Sequence, residues 1–181
     1  MGANSLQYHK DDALLEHAQV FSYQPLTPRK AIKLLEILPM SDDTNDPIQV
    51  KGRQDRPDDT YRCLSYMWGD QAERFMILIN TKTFYVGRNL YDFLHQAARR
   101  LDVSASLWMD AICINQTDID EKSIQVQQMG DLYSKAEEAI TWPGLGTESE
   151  LRALRRLTSG PELIPSDTEP WEGVLGKACV P

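Results

Sequence analysis

"LWMDAICINQ", residues 107–116, places one acid inside the most apolar run of the chain. Leu107, Trp108 and Met109 precede Asp110, and Ala111, Ile112, Cys113 and Ile114 follow it. The run then closes on two amides, Asn115 and Gln116. A segment apolar on both alternating faces is what a central strand covered by helices requires, and a strand is expected over 106–114. An ionised carboxylate in a sheet interior is costly unless it is paired or well hydrogen-bonded. Asp110 is therefore either a catalytic or ligand-orienting acid, or a structural acceptor for backbone N–H groups, the Trp68 indole or Arg62. Asn115 and Gln116 fall where that strand gives way to a helix. In parallel α/β sheets this edge binds ligands, and a helix N-terminus there favours anions. An Asx-type turn that starts the helix is the alternative.

Outward from this run, strands and helices alternate. "AIKLLEIL" (31–38) is expected as a first strand. The polar, Pro-rich 39–59 is expected as a long loop with at most a short extended piece at IQV. "YRCLSYMWGD" (61–70) is an aromatic-rich strand ended by Gly69-Asp70, and 74–87 is a hairpin turning near Asn80 and Thr81. "NLYDFLHQAARRL" (89–101) is an amphipathic helix with Asn89 as N-cap. "DIDEKSIQVQQMGDLYSKAEEA" (118–139) is a long helix on which Asp118 and Glu121 have capping-box spacing. Lys122, Val126, Met129, Tyr133 and Ala136 form one stripe, four of them able to pack, while Glu121, Gln125 and Gln128 share another face. "AITW" (139–142) is a last short strand. The alternation predicts an α/β fold with a mainly parallel sheet flanked by helices and a β-hairpin insertion. Residues 1–20 are expected as an N-terminal extension with a helical piece, 21–146 as the domain, and 147–181 as a C-terminal helix with a partly disordered tail.

The totals narrow the function. With 181 residues the chain can build one core, and 41% hydrophobic with 25% charged residues is globular. A net charge of −8 argues against nucleic acid as a partner. No run approaches the roughly 20 apolar residues of a membrane span, and the N-terminus has no hydrophobic signal region. Three scattered cysteines read as free thiols of a reducing compartment, and a cytoplasmic location is expected. There is no phosphate loop and no nucleophile elbow, and His9, His17 and His95 have no zinc-ligand spacing, so no metal is expected. Cys113 is read as core rather than nucleophile. Ser65, Trp68, Gly69 and Asp70 end a strand either as a plain turn or as a stacking ring and a carboxylate brought to the same crevice.

"YRCLSYMWGD", "NLYDFLHQAARR" and "LWMDAICINQTDIDEKSIQVQQMGDLYSKAEEAITW" together resemble the fungal heterokaryon incompatibility (HET) domain over about residues 21–144. Three positions depart from that pattern: Met67, Leu132 and Pro143. The resemblance implies an effector module in fungal non-self recognition and programmed cell death, acting by self-association or through protein partners. It also implies a TIR-like, flavodoxin-like three-layer architecture, since HET domains are similar at a distance to TIR domains. Some TIR domains cleave NAD with a helix-start glutamate. By that likeness Glu121 would be the key carboxylate of an NAD(P) glycohydrolase, with Asp110 as a second acid. Trp68, Ser65, Gly69, Asp70, Asn115 and Gln116 would then line the pocket. NAD would be a substrate, and no cofactor is required. A carboxylate near the ribose stabilises the oxocarbenium character that develops as the nicotinamide bond breaks.

Overall fold

The computed structural model describes residues 19–27, 31–40, 46–56, 60–100, 106–145 and 177–178. The expected N-terminal helical piece, the C-terminal helix and Cys179 lie outside them. In chain order the elements are β1 (Ile32–Ile37), β2 (Gln49–Asp55), β3 (Arg62–Tyr66), β4 (Arg74–Ile79) and β5 (Lys82–Gly87). Then come α1 (Arg88–Arg100), β6 (Leu107–Trp108), α2 (Asp110–Cys113), α3 (Ile119–Lys135), β7 (Glu138–Trp142) and β8 (Lys177–Ala178).

The described strands form one sheet in the order β5-β4-β2-β1-β6-β3-β7-β8. It is mixed rather than mainly parallel. β3 is parallel to β6 and β7, and β2 to β4, while β1–β2, β1–β6, β4–β5 and β7–β8 are antiparallel. The expected parallel, TIR-like layout is corrected accordingly. The hairpin β4–β5 is an integral edge of this sheet, joined through β4 to β2, and not an insertion.

The reason lies in β2, inside the segment read as a loop. QVKGRQD buries only Val50, so it carries little apolar signal. It is held by its backbone instead, pairing with β1 from Ile32↔Asp55 to Ile37↔Val50 and with β4 at Gln49 and Val50. Each such bond adds about 0.5–1.5 kcal/mol regardless of side chain. Once β2 joins β1 in antiparallel fashion, the sheet cannot be all parallel.

β1 is buried along nearly its whole length, on both faces, as expected of a central strand. Helices cover those two faces. Tyr66 of β3 pairs with Trp142 of β7, whose ring meets Phe93 of α1 at 5.8 Å. Cys63, three residues earlier and so on the opposite face, points at the Leu132 carbonyl of α3. The core therefore lies in two layers, under α1 and under α2 with α3.

The apolar run of 106–114 is a strand only at Leu107–Trp108. From Asp110 it coils into one helical turn, with Cys113 N–H donating to Met109 O at 2.8 Å and Ile114 N–H to Asp110 O at 3.2 Å. A short apolar run buried on all sides is compatible with strand or helix, so periodicity could not separate them. On α3 the expected stripe packs in part: Met129, Tyr133 and Ala136 are half-buried against the core beside the buried Gln125 and Leu132, whereas Val126 is half exposed. The helix ends at Lys135, which lets β7 begin at Glu138.

The turn between β4 and β5 is read correctly, and Asn80 and Thr81 take positive φ values of 49° and 67°. Asn80 also fastens the hairpin to the sheet. Its Oδ1 accepts from Gly52 N–H at 3.0 Å, and its Nδ2 donates to Gly52 O at 2.8 Å. Asn80→Ala loses both bonds and strains alanine in the left-handed region, so it should lower unfolding stability by about 2 kcal/mol in urea titration. Asn80→Gly, which relieves the strain, should recover part of that loss.

Candidate functional site

The residues singled out from the sequence separate into two groups. The first stands at the C-terminal ends of parallel strands β3 and β6. There the Trp68 indole, 37% exposed, donates to Asp110 Oδ2 at 3.0 Å. Asp110 Oδ1 accepts from Ala111 N–H at 2.8 Å, one of the free leading amides of α2. Gln116 Nε2 reaches back to Asp110 O at 2.8 Å and closes the turn. Burial pushes the Asp110 carboxyl above its ordinary range, and the bonds from Trp68 and Ala111 oppose that rise. Burial first, and then the charge of Asp110, raise the neighbouring Tyr66 phenol. Tyr133 donates to Leu64 O at 3.0 Å and ties α3 to the end of β3. Ser65 is exposed and Asp70 Oδ1 accepts from Ala72 N–H at 2.8 Å, a local turn.

Asn89 stitches this edge together, and it is not the N-cap expected of it. α1 begins at Arg88, and Asn89 Nδ2 donates to Met67 O at 2.6 Å. Its Oδ1 accepts from the Trp142 indole at 2.9 Å. Gly69 (φ 65°) and Gly144 (φ 101°) face it, and a Cβ on Gly144 would stand 2.9 Å from Asn89 Oδ1. One amide thus joins the loops that follow β3 and β7. The sequence held a clue in the two glycines after strands, but nothing that paired them with Asn89.

The second group surrounds Glu121. Asp118 caps α3 as expected, accepting from Glu121 N–H at 2.9 Å. The Glu121 side chain does not complete the capping box. Its Oε1 accepts from Asn115 N–H at 2.9 Å and is ion-paired with Lys33 of β1. The two side chains are only 9% and 10% exposed, and Lys33 also lies 5.0 Å from the Tyr23 ring. Asn115 forms an Asx turn through Thr117 N–H and Oγ1. One turn further along α3, the fully buried Gln125 donates to Ala31 O at 3.1 Å. Lys33 and Gln125 were not identified from the sequence as site residues. A lysine within an apolar strand is the one signal that would have found the first.

Among the described residues no hydrogen bond joins Glu121 to Asp110 or Trp68. Glu121 instead lines a cleft of about 280 Å³ between Pro25-Leu26 and the first half of α3. Cys113 is fully buried and burial pushes its thiol up to about 12, so it stays protonated at neutral pH and is core. No cluster of three His, Cys, Asp or Glu able to hold a metal ion is found among the described residues. No helix among them is long and apolar enough to cross a membrane.

The run of motifs just placed on β3, α1, α2, α3 and β7 is matched by a known family. The profile described as "Heterokaryon incompatibility protein (HET)" matches residues 61–174. The chain belongs to the HET family. It is also similar to the "Heterokaryon incompatibility protein 6, OR allele" of Neurospora crassa, at 31% identity over 161 residues that take in 76% of this chain. Those residues make up 23% of that relative, so the chain spans about a quarter of its length. No solved structure matches.

Two outcomes follow for this HET chain. Removing one partner of a buried pair leaves an uncompensated charge, so Lys33→Met should lower stability by roughly 3–5 kcal/mol in urea unfolding. Lys33→Met with Glu121→Leu should recover most of that loss, and simple additivity of the two would refute the coupling. The second concerns pH. The folded-state pKa of Asp110 is raised, so its contribution to stability is present at acid pH and is lost as pH rises through the folded value. The stability difference between wild type and Asp110→Asn should therefore shift against the wild type from acid to neutral pH. A difference flat with pH would refute this.

Proposed function

We propose that this HET chain is an effector module of fungal non-self recognition and programmed cell death that acts by self-association or by binding protein partners. The observation that carries this reading is how the candidate acids are spent. Asp110 anchors Trp68 and opens α2, and Glu121 neutralises Lys33 inside the domain. A general acid or an oxocarbenium-stabilising carboxylate needs a face open to substrate, and neither group keeps one together with the other. The mixed sheet also removes the architectural likeness on which the NAD(P) glycohydrolase reading leaned. What the fold does expose is apolar. Met67 stands beside Trp68 at the sheet edge, and Ile119 (81% exposed) and Val126 (50%) lie on the outer side of α3.

The test is induced expression in fungal cells together with assays of the purified chain. Growth arrest is expected, and the exposed-surface variants Met67→Asp and Val126→Asp should relieve it without lowering the unfolding midpoint. Nicotinamide release from NAD is expected to be absent. Release that Glu121→Gln abolishes in a folded protein would overturn the proposal in favour of the enzyme, and arrest unaffected by either surface variant would also count against it.

A further inference from the structure

Residues 19–27 cross the sheet as a strap that is tied down at both ends. At one end Phe21 N–H donates to Thr83 O and Thr83 N–H to Gln19 O, each at 2.9 Å, so the strap begins as a short parallel companion of β5. At the other end the Tyr23 hydroxyl donates to Ile112 O of α2, and Gln54 Nε2 of β2 donates to Pro25 O, both at 2.9 Å. The rings of Phe21, Tyr23 and Phe84 brace it edge to face, with centroids 5.1, 5.6 and 6.2 Å apart.

Between these ties the strap does not settle on the sheet. A cavity of about 120 Å³ lies under it, with Phe21, Leu35 of β1, Ile79 of β4 and Ile112 as its apolar lining and Gly52 of β2 in its wall. Gly52 has no side chain to fill the space. A Cβ there would stand 3.3 Å from Ile79 Cγ2 and 3.5 Å from Leu35 Cδ2. Its backbone is held in place by the Asn80 amide and by pairing with Leu35. Interiors are close-packed, and an apolar cavity of roughly 150 Å³ is enough to hold benzene. The space under the strap thus fits one apolar group between isobutyl and phenyl in size.

The charge of its guest follows from how the polar lining is spent. Lys33 is ion-paired with Glu121 and stands over the Tyr23 ring. Arg53 is ion-paired with Asp55 and donates to Ser106 Oγ at 2.8 Å. The Asn80 amide serves Gly52, and the Gln54 amide serves Pro25 and Thr27. Both lining charges have counter-ions, so a charged guest would be desolvated without compensation. Ser22 and Gln24, exposed on the strap, are the lining residues whose side chains have no such bond among the described residues. They can meet an uncharged donor or acceptor.

We propose that this cavity binds a small neutral molecule, one with an isobutyl- to phenyl-sized apolar body and a hydroxyl or amide tip held by Ser22 and Gln24. The proposal goes beyond the effector reading and stands or falls independently of it, because the assay reads binding alone.

The experiment titrates the full, 15N-labelled chain with benzyl alcohol, and in parallel with toluene, benzoate, benzylammonium, 2-naphthylmethanol and N-acetylphenylalaninamide. Saturable shifts are expected with benzyl alcohol at the amides of residues 21–24, 52 and 79–80, and at the Asn80 side-chain amide. The two charged analogues should bind at least about tenfold more weakly, and the naphthyl compound should not saturate. Gly52→Ala places a methyl group among the lining residues and should weaken benzyl alcohol about tenfold. The paired surface change Ser22→Ala with Gln24→Ala should weaken benzyl alcohol about threefold and leave toluene unaffected, a split that loss of the fold would not produce. Tighter binding of N-acetylphenylalaninamide than of benzyl alcohol would assign the site to a peptide side chain and overturn the proposal. Equal affinity for either charged analogue, saturable binding of the naphthyl alcohol, or indifference of benzyl alcohol to both sets of changes would overturn it as well.

Discussion

The ion pair between Lys33 and Glu121 is the constraint around which the second half of the domain is arranged. Neither charge could stand alone at this depth, because desolvation of an unpaired ammonium or carboxylate costs several kcal/mol. Each therefore needs the other, and each needs additional partners. Glu121 finds the Asn115 amide, and Lys33 the Tyr23 ring. Gln125, one turn on, then bonds Ala31, two residues before Lys33 and just ahead of β1. Two polar contacts one turn apart leave α3 no freedom to rotate about its axis. This is why the buried stripe of α3 runs through Glu121, Gln125 and Leu132 and leaves Val126 outside.

The sheet edge at the ends of β3 and β7 is built on a different economy. It uses indoles as donors and an amide as the joint. Trp68 reaches Asp110, Trp142 reaches Asn89, and Asn89 reaches Met67 O. Two loops of unlike sequence, one after Tyr66 and one after Trp142, are held in one place by a side chain of α1. At Gly144 this closeness leaves no room for a Cβ, and its positive φ suits glycine as well.

What could be read without coordinates was what leaves a periodic or local mark. The apolar β1, the hairpin with its Asn80 turn, the amphipathic α1 and the Asp118 cap all do so. So did the family, whose motifs are long runs of residues rather than a geometry. β2 left no such mark, because its place in the sheet rests on backbone pairing that polar side chains do not disturb. The direction of the sheet was lost with it. Lys33 and Gln125 were hidden for the opposite reason. Each is a polar residue whose partner lies more than 80 residues away, and no local pattern reports a contact of that range. Asn89 was misplaced because an asparagine beside a helix start has a local explanation, and its true partners are Met67 and Trp142.

The acid inside the apolar run is accounted for by where the strand stops. Within a sheet, the backbone amides beside Asp110 would be committed to neighbouring strands, and its carboxylate would face apolar side chains with no donor in reach. At the first residue of a helical turn the geometry changes, because the leading N–H groups of a helix have no carbonyl behind them. Asp110 takes one of these, from Ala111, and leaves its second oxygen for the Trp68 indole. The carboxylate is thus the reason that the run can leave the sheet at Met109 and still stay buried. It is also the reason that the exposed ring of Trp68 is held at the sheet edge instead of collapsing onto the core. An acid used in this way holds an indole at the sheet edge, and that supports the proposed reading of a module that works by contact.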